Sequence, residues 1–415
     1  MNPMRGAIGG LLVLAATAAC CGEELFDRIE SALSFSALEH QLRARVSGTI
    51  DLEAYHVQHP SPGLVYSARD TLLNPRLSLF LDAQYGAGIY AFAQARVDRG
   101  FDPSEAGGRV RLDEYAVRFT ARGGVFNFQV GKFATVVGNW VPRHGSWENP
   151  FVTAPLPYEN LTGVWDIAAP RSNVQLLNWA HVRPNGLPGA EFTEKRLRSP
   201  VIWGPSYTLG GTVFGEIGKW KYAVELKNAN LSSHPEIWGS TEDHWRHPTL
   251  SGRLGYRPNP TWNFGVSGSS GVYLRPHVSP TFQPGYNLGD HRQTVVAGDL
   301  SFAWRHVQVW GEIYQARFEM PNVGDADTVA YYTEVKYKFT PQFFGSLRWN
   351  QQRFGTIPNG PVETRWGRNT WRIDVGPAYR FTPHLQVKLQ YSLQRQNDAP
   401  RNYSHLFASQ FVLRF

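Results

Sequence analysis

The residues best placed to do chemistry in this chain are cations that share one parity. Along its alternating stretches, Arg43, Arg45, Arg76, Arg96, Lys219, Lys221, Lys227, Arg253, Arg257, Arg305, Lys336, Lys338, Arg348, Arg372, Arg380, Lys388 and Arg414 fall on the polar side of the pattern. Fewer acids share that side: Asp51, Glu53, Asp82, Asp98, Glu225, Asp299, Glu312, Glu334 and Asp374. A surplus of guanidinium and ammonium groups along a low-dielectric wall lowers the energy of anions in the water beside it and raises that of cations. Some of these charges instead pair across strands and stiffen the sheet. The formal charge of +7 points the same way as the surplus.

Other chemistries find little support. The 13 histidines are scattered, and the nearest groups, His56 with His59 and His244 with His247, lack the HExxH spacing of a helical zinc site. Glycine-rich stretches carry no GxxxxGK[ST] pattern, and Ser and His residues show no spacing from which a hydrolytic site can be read. Both cysteines, Cys20 and Cys21, lie near the N-terminus, which removes disulfides, thiol catalysis and thiolate zinc sites from the body of the chain. No catalytic residue, metal, cofactor or nucleic-acid partner is expected.

The elements that position the cations are strands. From about Gln41 to the C-terminus, apolar and polar residues alternate with period two and helical periodicity is scarce. Leu42, Ala44, Val46, Gly48, Ile50 and Leu52 alternate with Arg43, Arg45, Ser47, Thr49, Asp51 and Glu53. Tight turns are expected at Gly86-Ala87, Arg122-Gly123-Gly124, Ile217-Gly218, Arg257 to Pro260, Trp304-Arg305, Thr340-Pro341 and Thr382-Pro383. Between them lie longer polar segments near 56–75, 100–108, 136–206, 230–247, 275–292, 320–328, 354–368 and 397–403. Short turns alternating with long loops, aromatic residues at strand ends and a final strand running into Phe415 predict an all-β, transmembrane, antiparallel up-and-down β-barrel. The count is about 16 strands, or about 18 if Asn173 to Ala180 and a neighbour are strands too.

Residues 1–19, with Arg5 and an apolar run from Ala7 to Ala19, look like a secretory signal, too short to span a bilayer as a helix. Cleavage after Ala18 or Ala19 is preferred to lipidation of Cys20. Residues 20–40 are expected to form a short leader, with 24–40 read as a frayed segment in preference to a short helix before the first strand, and 41–415 the barrel.

The segment 136–206 exceeds the length of an ordinary connection, and its Trp140, Trp147, Phe151, Tyr158, Trp165 and Trp179 argue against disorder. It is expected to fold into the lumen, with Trp140, Arg143, His144, Trp147 and Arg171 at the constriction. The same aromatic residues could offer faces to sugar rings, so a sugar-selective channel stays open. An outer-membrane barrel enzyme of lipase type and a structural barrel with a blocked lumen are rival classes.

Asp113-Glu114-Tyr115-Ala116-Val117-Arg118, a tight turn, then Val130-Gly131-Lys132-Phe133 and Gly138 resemble the strand pair before the long loop of phosphate-selective porins of the O and P type. The Phe-Thr-Pro turns at Phe339 and Phe381 and the terminal Phe415 are similar too. The resemblance implies a 16-stranded barrel in the bacterial outer membrane, commonly a homotrimer, that passes anions by diffusion. The long loop departs from that family: Pro142 to Phe151 has one arginine and is rich in aromatic residues and proline. The partners expected are outer-membrane lipid, small anionic or neutral solutes, and the barrel-assembly machinery through Phe415.

Overall fold

A computed structural model describes residues 23–58, 63–64, 67, 69–98, 109–181, 197–239, 244–397 and 403–415. The expected signal segment, Cys20 and the loop 100–108 lie outside the described residues. Sixteen strands form the barrel, here numbered in chain order: β1 Leu42–Val57, β2 Thr71–Tyr85, β3 Ile89–Asp98, β4 Arg109–Ala121, β5 Phe126–Phe133, β6 Thr208–Ile217, β7 Trp220–Lys227 and β8 Thr249–Tyr256 in the first half. The second half holds β9 Trp262–Val272, β10 Arg292–Trp304, β11 Val307–Met320, β12 Gly324–Lys338, β13 Phe343–Phe354, β14 Thr370–Thr382, β15 Leu385–Gln396 and β16 Tyr403–Arg414. Each pairs antiparallel with its sequence neighbours, and β16 closes the ring on β1 with Gln410 opposite Glu53.

Alternation decides which side chain faces where. Val224, Val266, Val296 and Leu347 stand exposed on the outer wall, whereas Glu225, Ser267, Gln293 and Arg348 point into the barrel and are buried. Two aromatic belts flank the outer apolar band, as lipid interfaces favour. Trp220 with Tyr256, Trp262 with Phe302 and Tyr379 with Phe381 lie toward the short turns; Trp349 with Trp371 and Tyr391 with Phe407 lie toward the long loops.

The C-terminus completes the seam. The Gly48 N–H donates to the Phe415 carbonyl at 2.9 Å and Phe415 N–H returns a bond to Gly48 at 3.0 Å. A Cβ on Gly48 would lie 2.5 Å from Phe415 Cζ, so the missing side chain makes room for the terminal ring. Beyond that point β1 has no β16 partner, and the leader supplies one: Ser34–Ala37 pairs antiparallel with residues 42–45. The leader is thus ordered, a helix Glu23–Ala32 followed by a strand. Its helix reaches the short-turn mouth, where Phe26 stacks on His384 at 5.4 Å and Glu30 pairs with Arg45.

Three expectations need correction. Asn173–His181 is a helix, so the barrel has 16 strands and not 18. Residues 320–328 contain no long loop: β11 runs to Met320 and β12 starts at Gly324, with Asn322 and Gly324 at φ of +62° and +101° in a tight reversal. Lys219, Arg257 and Arg305 sit in short turns outside the strands, so they do not line the interior wall.

Candidate functional site

Between β5 and β6 the chain leaves the wall at Phe133 and returns at Thr208, and much of the segment between folds across the barrel interior. Its entry is fixed by Glu312 of β11. The Glu312 carboxylate accepts the Trp140 N–H at 2.6 Å and the hydroxyls of Tyr158 at 2.7 Å and Tyr314 at 2.8 Å, and also takes the Asn139 N–H. Gly138, at φ +82°, turns the chain into this seat.

The loop is then riveted along β12–β15. Arg143 donates to Glu334 and to the Tyr332 hydroxyl at 3.0 Å, with its guanidinium 4.3 Å from the Trp310 ring centroid. The Lys388 ammonium donates to the carbonyls of Ser146, Asn149 and Phe151 at 2.6, 2.9 and 3.3 Å. Arg348 reaches the Thr153 carbonyl at 3.0 Å, and Arg372 donates to the Ala154 carbonyl at 2.5 Å and to Glu159. Asp374 lies under both arginines, 2.8 Å from Arg348 and 3.0 Å from Arg372. Loop backbone that would otherwise be unsatisfied inside the barrel is bonded to charged wall groups, which are the stronger donors.

Toward the long-loop end the same half of the interior is apolar. Val164, Leu176 and Leu177 of the loop pack with Phe318, Met320, Phe354 and Trp366. Asp166 joins His234 at 2.9 Å and Arg275 at 3.0 Å, tying three loops together.

Among the described residues, open space lies on the opposite wall. A cavity of about 640 Å³ runs between Pro142, His144, Ser146, Trp147 and Glu148 of the loop and Asp51, Arg76, Ser78, Asp82, Gln94 and Arg96 of β1–β3, reaching Glu30 and His384 at the short-turn mouth. Here most arginines have partners. Arg76 pairs with Asp51 at 2.9 Å and Glu53 at 2.6 Å. A bulge beside Gln94 and Ala95 turns both Asp113 and Glu114 inward, and Asp113 then lies 3.0 Å from Arg96 and 3.1 Å from Arg111.

The sequence-predicted cations therefore divide. Arg45, Arg76 and Arg96 line the cavity, and Arg43 stands exposed near the short-turn end of β1. Lys221 pairs with Glu216, and Arg253 with Asp299 at 2.6 Å. Arg348, Arg372 and Lys388 point inward, as expected, but are almost fully buried beneath the loop and face no open water. Lys336 sits over Phe344, 3.9 Å from its ring centroid.

Of the five expected constriction residues, His144 and Trp147 reach the cavity. Trp140 is buried against Tyr158 with centroids 4.5 Å apart, and Arg143 is a wall anchor. Arg171 is exposed beside the helix Asn173–His181, away from the constriction. Nor do the aromatic residues form an open track for sugar rings: Trp165 stacks on Trp179 at 4.1 Å, and Trp147 carries the guanidinium groups of Arg380 and Arg414 at 4.7 and 4.5 Å.

Sequence reasoning missed Arg118 as an inward group. It lines a second cavity near the β2–β3 turn, donates to Gln129 at 3.0 and 3.1 Å, and has Tyr90 and Phe214 at 5.3 and 5.0 Å. Its parity on β4 was the available signal. At the short-turn mouth Asp27, Glu30 and His384 bring ligand atoms within 4.8 Å of one another, with Glu30 already paired to Arg45.

His144 makes the loop tip sensitive to acid. Its Nδ1 faces the Val141 carbonyl and its Nε2 the Tyr207 hydroxyl, an arrangement that suits a neutral ring donating from Nδ1 and accepting at Nε2. Burial holds its pKa down to about 4; the Val141 carbonyl opposes this, while Arg96 and Arg76 add to the depression. A released ring titrates near its ordinary value of 6.5, so the released state binds more protons between those limits. The seat is therefore unaffected above about pH 6.5 and weakens as pH falls toward 4. We expect channel current to become noisier over that range, and His144→Gln to abolish the pH dependence.

No family model matches the sequence, and no curated protein does. Solved structures do match in shape. The outer membrane channel DcaP of Acinetobacter baumannii superposes with a TM-score of 0.56 at 10% identity, over 92% of this chain and 99% of that one. An anion-selective porin from Comamonas acidovorans gives 0.55 at 9% identity, over 90% and 100%. OmpT of Vibrio cholerae in a trimer form gives 0.54 at 11% identity, over 90% and 99%. At these identities the likeness is one of fold, that of the outer-membrane porin barrel.

Proposed function

We propose that this chain is an outer-membrane porin: a passive channel for small solutes whose lumen is narrowed to one side by the long loop, with no catalytic step. The observation that carries the reading is the water-accessible cavity between loop residues 142–148 and β1–β3, inside a closed barrel with two aromatic belts. The fold shared with several outer-membrane channels supports it, and the trimer form of one of them supports a homotrimer here.

A mild anion preference is the finer part of the proposal. The cavity itself is nearly balanced, with Arg45, Arg76, Arg96 and Arg414 against Glu30, Asp51, Asp82, Glu114 and Glu148. Beyond the cavity, Arg118, Lys336 and Arg380 are inward cations that, among the described residues, have no carboxylate within 4.0 Å, while Lys388 and the inward acid Glu312, neither of which has an oppositely charged partner that close, are buried under the loop. Most inward acids, by contrast, have cationic partners, such as Arg253 for Asp299 and Arg348 for Glu334. The resemblance to the O- and P-type porins and the printed selectivity of the Comamonas neighbour agree in direction.

Reversal potential in planar bilayers under a potassium chloride gradient tests this. The wild type should favour chloride by a few-fold, and Arg118→Gln with Arg414→Gln should remove most of that preference while current persists. Cation preference in the wild type would end the anion reading and leave the pore standing.

A further inference from the structure

Beside the turn that joins β2 to β3 lies a cavity of about 390 Å³, lined by Gln84, Tyr90, Phe92, Arg118, Thr120 and the turn residues 87–89. That size is ordinary for a small-molecule pocket. Strand register builds its wall: Gln84 pairs with Tyr90, Tyr90 with Arg118 and Arg118 with Gln129, so a row across four strands faces the lumen at one height. Phe92, two positions along β3, shares that face and stacks on Tyr90 at 5.8 Å. Among the described residues no Asp or Glu lines the cavity.

Arg118 is held in place without being neutralised. Its Nε and Nη2 donate to the Gln129 side-chain carbonyl at 3.1 and 3.0 Å, and the Tyr90 and Phe214 ring centroids lie 5.3 and 5.0 Å from its Cζ. These contacts fix the guanidinium and leave Nη1 and one Nη2 hydrogen, the edge on which a carboxylate is gripped end-on. The acids that share this face of β2 and β4 are engaged elsewhere: Asp82 accepts from the Tyr90 hydroxyl, and Glu114 takes the Ala134 N–H at 2.8 Å. A compact inorganic anion would use the arginine alone. A flat ring carrying one carboxylate would use the arginine and cover the aromatic wall as well.

We propose that this cavity is a low-affinity subsite for small aromatic monocarboxylates on the short-turn side of the lumen, with the carboxylate on the free edge of Arg118 and the ring against Phe92 and Tyr90. The inference narrows the solute class of the proposed function and rests on the open lumen of that reading, through which the solute arrives. Weak binding is what a diffusion channel needs, since a solute held tightly is not released.

The test is saturation-transfer difference NMR of the folded protein in detergent near neutral pH, titrated with benzoate, with acetate and benzylammonium as comparisons. Benzoate should bind at least about tenfold more tightly than either. Its affinity should fall at least about fivefold in Arg118→Gln and drop toward that of acetate in Phe92→Leu. It should stay unchanged in Arg317→Gln, at the long-loop end of β11, where Arg317 pairs with Asp325 and Asp327. Equal benzoate affinity in Arg118→Gln, shown by heat-modifiable gel migration to be a folded barrel, would overturn the site. Acetate matching benzoate would overturn the aromatic assignment, and benzylammonium matching it would overturn the role of the arginine. Because binding is read without current, a barrel that conducts but does not bind benzoate ends this inference alone, whereas one that binds benzoate and passes no current ends the channel reading.

Discussion

Replacing Asp374 with alanine is expected to enlarge the channel. Asp374 is fully buried and accepts from Arg348 Nε at 2.8 Å, Arg372 Nε at 3.0 Å, Ser392 at 2.5 Å and Asn350 at 2.9 Å. Removing it leaves two guanidinium groups buried side by side with less counter-charge, a loss that costs about 3–5 kcal/mol for a broken buried pair. Most hydrogen bonds of the sixteen-strand ring do not depend on it, so the loop yields first. Arg348 and Arg372 hold the Thr153 and Ala154 carbonyls, and their repulsion detaches that stretch from β13 and β14. Single-channel conductance should rise at least twofold and become noisy, while the folded, heat-modifiable band on gels persists. Unchanged conductance would mean that the loop is held elsewhere.

Gly138→Ala is expected to act at the other end of the same loop. A Cβ there would lie 2.1 Å from the Tyr314 hydroxyl and 2.4 Å from that of Tyr158, and the residue sits at φ +82°, a conformation costing a non-glycine residue about 1 kcal/mol or more. The two tyrosines cannot move aside cheaply, because both hydroxyls serve the Glu312 carboxylate that also binds the loop backbone. The variant should lose the loop seat, with higher conductance and faster proteolysis between residues 134 and 160. Tyr158→Phe and Tyr314→Phe, added to Gly138→Ala, should recover part of the loss by relieving the clash while the backbone strain remains. No recovery would place the defect in the backbone alone.

The barrel was legible in the sequence because its cause is local. Each strand must bond to its neighbours and show lipid every second residue, so alternation, short turns and the terminal Phe415 carry the fold. Asn173–His181 escaped because an apolar run that short reads equally as strand or helix; only its packing of Leu176 and Leu177 against Phe318 and Trp366 selects the helix. The pore-lining assignments for Arg348, Arg372 and Lys388 had the correct parity, but parity separates inside from outside and cannot separate open water from a folded loop. A signal of the covering was present on β11 and β12, where Tyr314, Ala316, Phe318, Ala330 and Tyr332 make the inward face apolar too. A wall apolar on both faces has something packed against its inner side. The rivets themselves join residues about 190 to 240 positions apart, such as Val152 with Gln390 and Leu156 with Asn350, and no local pattern announces them.

The most direct measurement is single-channel conductance of the refolded wild-type protein beside the Asp374→Ala variant in planar bilayers. A loop fixed across half the lumen predicts stable, small steps for the wild type and larger ones for the variant. Absence of current from verified folded barrels, or wild-type steps as large as the variant's, would contradict a pore narrowed to one wall by its own loop.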